Sequence, residues 1–175
     1  MPIGPRDEIW KATYQTMYDS GYNEIFAEKI MGKWQKFDDS TKISVAITTA
    51  SSSTVAGLAI WGLPVFKQVW IGLAALGFIL ALASTALRAP DRLKAWSNSK
   101  SEFGALYIEL ETFMFRMKIN PEFSVSEYSK EFENYRTRYG AAKHRIPDDW
   151  LATDRLENLA QSDLNERIKT STLSL

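Results

Sequence analysis

The chain has 175 residues, with 21 Lys and Arg against 21 Asp and Glu, so its formal charge is zero and no global field draws it toward nucleic acid. It contains no cysteine, which excludes disulfides, thiolate metal sites and cysteine nucleophiles. Its single histidine, His144, is too little for an imidazole-based metal centre.

The opening MPIGPRDEIW lacks the apolar core of a secretory signal. Trp10, Tyr14, Tyr18, Tyr22, Phe26, Ile30 and Trp34 then recur every four residues, with Met17, Ile25 and Phe37 beside them. That spacing predicts a helix over about residues 6–37, roughly 48 Å long, with one aromatic-rich face. Asp38, Asp39 and Ser40 mark its junction with the next segment. Residues 1–42 thus read as a cytoplasmic amphipathic helix.

Between Lys42 and Arg88 the only charged residue is Lys67. It separates residues 43–66 from residues 68–87, about 36 and 30 Å as helices, each enough for a hydrocarbon core of about 30 Å. Residues 43–87 are therefore expected to form a two-span transmembrane hairpin; the alternative is a buried hairpin in a water-soluble protein. Lys29, Lys33, Lys36 and Lys42 precede the spans and Arg88, Arg92, Lys94 and Lys100 follow them, against Lys67 alone in the turn. This asymmetry places both termini in the cytoplasm and the turn outside. Trp61, Phe66 and Trp70 cluster near the turn, where amphipathic rings favour the interface.

Six of the seven residues from Thr48 to Thr54 carry hydroxyls. At 100° per residue, Ser44, Thr48, Ser51 and Ser52 share one stripe and Ala46, Ala50, Ser53 and Gly57 another. The second stripe, with Gly77, Ala81 and Ser84 on the following span, is a small-residue packing seam. The hydroxyl stripe has two readings. It lines a wet path when several hairpins assemble, or each hydroxyl bonds a carbonyl of its own helix.

Residues 88–118 carry Leu93, Trp96, Phe103, Tyr107, Leu110, Met114 and Met117 three and four apart, interrupted in phase by Lys100. This heptad seam, in phase backward with Leu82 and Ile79, is expected to bury itself in a bundle or against other copies; Pro90 kinks or restarts the helix. Residues 119–175 follow as further cytoplasmic helices and a frayed tail. One opens on the capping box Ser124-x-x-Glu127 and stops at Gly140; another starts near Asp148 and carries Trp150, Leu151, Leu159, Leu164 and Ile168. Arg136, Arg138, Lys143 and Arg145, with His144, form a basic run. They either contact a phosphate or an acidic lipid head, or simply solvate a helix end.

No phosphate-loop, dinucleotide, zinc-protease or nucleophile-elbow motif occurs, so the chain reads as no enzyme and as needing no cofactor. The expected fold is all-α: an integral membrane hairpin, a long N-terminal cytoplasmic helix and a C-terminal helical bundle, assembled as a homo-oligomer.

IWKATYQTMY leading into a Ser/Thr-rich span, with ALRAPDRLKAW and YIELETF behind the second span, resembles the SLATT group over roughly residues 6–118. These are small two-transmembrane effector domains linked to bacterial nucleotide-signalling and anti-phage systems. The resemblance implies an effector in the bacterial inner membrane that forms a pore or disrupts the bilayer. Its trigger would be a separate sensor protein or nucleotide signal, because no nucleotide-sensing domain is recognisable here. A membrane-tethered adaptor, with the hairpin only an anchor, is the alternative.

Overall fold

Helix starts in this chain coincide with prolines and polar caps. Pro5 and Pro64 each open a helix, and Pro90 occupies the first turn of a third, where a missing N–H costs nothing. The computed structural model describes residues 4–53, 64–120, 122 and 124–173. Among the described residues there are five α-helices and no strand: α1 (Pro5–Ser53), α2 (Pro64–Ala86), α3 (Ala89–Ile119), α4 (Val125–His144) and α5 (Asp154–Leu173). The fold is all-α. The chain divides into two units, one of Met1–Met31 with Lys94–Leu175, the other of Gly32–Leu93.

In the first unit, the side of α1 that meets the core is set by small residues rather than by the aromatic ladder. A step of four residues turns a helix by about 400°, so a ladder spaced by four slips about 40° per step and winds round the axis. Trp10 and Tyr14 stand 38% and 42% exposed, while Phe26 and Ile30 are buried. Between them Thr13, Met17, Ser20, Gly21 and Ala27 turn inward. The hydroxyls of Thr13 and Ser20, fully buried, donate to the carbonyls of Ile9 and Thr16 at 2.7 Å each, which removes the desolvation penalty.

α3 supplies the centre of this core. Phe103, Leu106, Tyr107, Leu110, Phe113, Met114 and Met117 are all buried, against Met17 of α1 and Tyr128, Tyr135 and Ala142 of α4. Phe113 sits between Tyr128 and Tyr135, with ring centroids 5.5 and 5.4 Å away. From α5 the buried residues are Leu156, Ala160 and Leu164, four apart. Gly21 of α1 lies against Tyr107 of α3 and Leu164 of α5. A methyl there would lie 2.8 Å from the Tyr107 ring and 2.9 Å from a Leu164 methyl, so only hydrogen fits.

The C-terminal end of α3 is closed by its neighbours. The Arg6 guanidinium donates to the carbonyls of Met117 and Asn120, 2.8 Å each, and lies 5.5 Å above the Tyr128 ring. The Tyr128 hydroxyl donates to the Arg116 carbonyl at 3.2 Å. These contacts satisfy carbonyls that the helix end leaves open.

Ser124 caps α4: its hydroxyl accepts from Glu127 N at 3.2 Å and donates to the Glu127 carboxylate at 2.8 Å. The helix does not stop at Gly140. It runs on to His144 with Ala142 buried, and Arg145 N closes it on the Ala142 carbonyl at 3.0 Å. α5 begins at Asp154 rather than near Asp148, because Asp149 is spent on a turn: its carboxylate accepts from Leu151 N at 3.0 Å and from the Trp96 indole at 2.8 Å. Trp150 stands 67% exposed in that turn.

In the second unit, Trp34, Asp38 and Thr41 are buried on successive turns of α1, and Lys42 pairs with Asp38 at 2.5 Å. α2 ends at Ala86, and Arg88, at φ 50°, turns the chain before α3 begins at Ala89. α3 is thus a new helix and not a prolongation of α2.

Candidate functional site

Two surfaces are built differently from the rest of the molecule. The first is a groove in the first unit, about 690 Å³ in volume, between the start of α1 and the end of α3. Its floor is Met17, Met114 and Met117, all buried. Its walls are Trp10 and Tyr14 from α1 and Phe115 from α3, the last 56% exposed. Arg6, Asp7, Glu111 and Lys118 bound it. Trp10 and Tyr14, seven residues before Met17 and Gly21, lie on the same side of α1 as those buried residues and so border the groove. Thioether floors adapt to varied shapes and aromatic walls offer large contact area, a pairing suited to helix recognition.

The second is the outer side of α2. Ile71, Leu76, Phe78, Ile79 and Leu82 are each more than half exposed, whereas Gly77 is buried and Ala81 and Ser84 are half-buried. The helix therefore exposes large apolar residues along one side, the reverse of a water-facing helix. Among the described residues no helix is long and apolar enough to cross a membrane.

No family model, curated protein or solved structure matches this chain.

Of the hydroxyl stripe, Ser44 donates to the Ser40 carbonyl at 2.8 Å, the back-bonded arrangement. The side chains of Thr48, Ser51 and Ser52 lie outside the described residues, as do those of Ala50 and Ser53 and all of Gly57. Ala46 is exposed. The heptad seam is occupied within the chain: Trp96, Phe103, Tyr107, Leu110, Met114 and Met117 are 1%, 1%, 4%, 0%, 8% and 4% exposed. They leave no face for a second copy, and only Leu93, in the second unit, is half-buried.

The basic run is likewise engaged. Arg138 forms a two-pronged ion pair with Glu109, and Arg145 pairs with Glu102 at 3.1 Å. Arg138 holds the Glu109 carboxyl below the usual range. Lys143 faces Asp19, whose carboxyl is pushed up by burial and pulled back by that ammonium. Arg136 is exposed. Three of the four cations thus face carboxylates, which compete with any phosphate. Among the described residues no cluster of His, Asp and Glu is arranged to hold a metal ion.

The sequence placed Trp10, Tyr14 and Met17 on one aromatic-rich helix face and assigned them no binding role. Spacing does not separate them, since Trp10 and Met17 are seven apart and share a helix face.

Proposed function

We propose that this chain is an oligomeric membrane effector of the bacterial inner membrane. Residues 43–87 fold back through the bilayer, both termini lie in the cytoplasm, and assembled copies open a path across it. The observation that carries this reading is the outward apolar side of α2, in a helix whose one charged residue is Lys67. Ile71, Leu76, Phe78, Ile79 and Leu82 together favour lipid by about 1.5–3 kcal/mol on an insertion scale. Among the described residues nothing comparable covers them. The resemblance to the SLATT group supports a role in anti-phage defence, triggered by a separate sensor protein or nucleotide signal. Thr48, Ser51 and Ser52 face the shared axis, with Ser44 at its cytoplasmic end.

Planar-bilayer recording of the purified chain tests this. Discrete current steps are expected, lost when Ser44, Thr48, Ser51 and Ser52 are all replaced by Ala. Assembled protein that carries no current would remove the pore.

The groove favours a second reading, a membrane-tethered adaptor. Replacing residues 43–87 with an unrelated two-span anchor separates the two, since an adaptor retains activity and a pore loses it.

A further inference from the structure

From Lys100 to Lys118, α3 carries six charged residues: Lys100, Glu102, Glu109, Glu111, Arg116 and Lys118. Four of them are matched from neighbouring helices. Lys100 pairs with Glu28, Glu102 with Arg145, Glu109 with Arg138 and Arg116 with Glu131. Among the described residues, Glu111 and Lys118 form no ion pair, and both bound the groove. They are seven residues apart, about 10.5 Å along the helix. Between them lie Met114 and the exposed ring of Phe115, with Trp10 and Tyr14 opposite.

We infer that this groove receives an amphipathic helix from a partner protein. The partner presents a carboxylate to Lys118, a cation two turns later to Glu111, and apolar anchors between them to Phe115, Trp10 and Tyr14. The charge pattern selects this occupant. A helix repeats its face every seven residues, so one acid and one base at that spacing meet both ends of the groove while the intervening turn fills its floor. Acid first and base last also suits the partner's own dipole and sets it antiparallel to α3. A flat lipid surface would leave the Glu111 carboxylate against apolar or anionic neighbours, at a cost in charge burial. The inference deepens the proposed effector role by naming how a separate trigger engages it, and it rests on that reading.

The test uses the full chain in lipid nanodiscs and a fluorescent helical peptide of about 18 residues. The peptide has Glu and Lys seven apart, flanking Leu, Met and Trp anchors, and anisotropy reports binding. Saturable binding is expected, weakened about tenfold or more by Phe115→Glu. Lys118→Glu should weaken it as well and be rescued by a peptide with Lys at both ends; circular dichroism melting confirms that each variant folds. Equal binding by the native chain and Phe115→Glu overturns the inference. So does binding that tracks the anionic lipid content of the disc and ignores residue 115, which would assign the contact to the membrane. If the chain does not enter discs, the membrane proposal fails by that observation alone, and the same titration on the free chain still decides the groove.

Discussion

The indole Nε1 of Trp96 donates a 2.8 Å hydrogen bond to Oδ2 of Asp149, and both residues are buried. Fifty-three positions apart, they tie the first turns of α3 to the turn that precedes α5. A charged acceptor away from water makes this a strong contact, and loss of Asp149 strands the buried indole N–H. Asp149→Ala is expected to cost about 1.5–3 kcal/mol in urea unfolding. Trp96→Phe should cost a similar amount, and the double variant less than the sum of the two. Full additivity would mean that the pair is not coupled.

Gly21 and Gly32 make opposite predictions. Gly21→Ala drives a methyl into Tyr107 and Leu164, which belong to two other helices, so the core must spread. A loss of about 1–3 kcal/mol is expected. Gly32 has nothing within 4 Å of an added methyl, so Gly32→Ala should stabilise α1 by about 0.5–1 kcal/mol. Thermal melts of the two variants that shift in the same direction would contradict this account.

Glu109 makes stability depend on acid. Its hydrogen bonds from Arg138 lower its carboxyl from the ordinary value of 4.5 in the folded chain. A group whose folded value is depressed contributes stability above its unfolded value, and that contribution disappears as pH falls through the folded one. Glu109→Gln should therefore flatten the decline of the urea midpoint below about pH 5. An unchanged slope would show that the Arg138 pair contributes nothing.

These contacts indicate what could be read from residues alone. The Ser124–Glu127 box was legible because it is local: both partners lie within one turn. The end of α4 was not, because Gly140 supplies only permission to stop, while burial of Ala142 keeps the helix going. The late start of α5 depends on Asp149 reaching Trp96, a partner that no window around residue 149 contains. The seam of α3 was legible as an apolar stripe, but periodicity does not say whose surface covers it. Here α1 and α4 of the same chain do. The groove is the converse case: Trp10 and Tyr14 share a helix face with buried Met17 and Gly21, so periodicity does not reveal their exposure.

Ser44 separates structural from functional hydroxyls. With its Oγ already on the Ser40 carbonyl, Ser44→Ala alone should change stability by less than about 0.5 kcal/mol and leave conductance unaltered. Loss of current is expected only when Thr48, Ser51 and Ser52 are replaced as well. A single-site loss at Ser44 would place the constriction at the cytoplasmic end of the stripe.

Insertion of residues 43–87 is tested most directly by single-cysteine accessibility, which the absence of native cysteine makes clean. In intact cells a membrane-impermeant maleimide should label Lys67→Cys and spare Phe78→Cys and Ser97→Cys, with Ser97→Cys labelled only after the cells are opened. Labelling of Phe78→Cys as readily as Ser97→Cys in opened cells, with Lys67→Cys silent from outside, would contradict insertion.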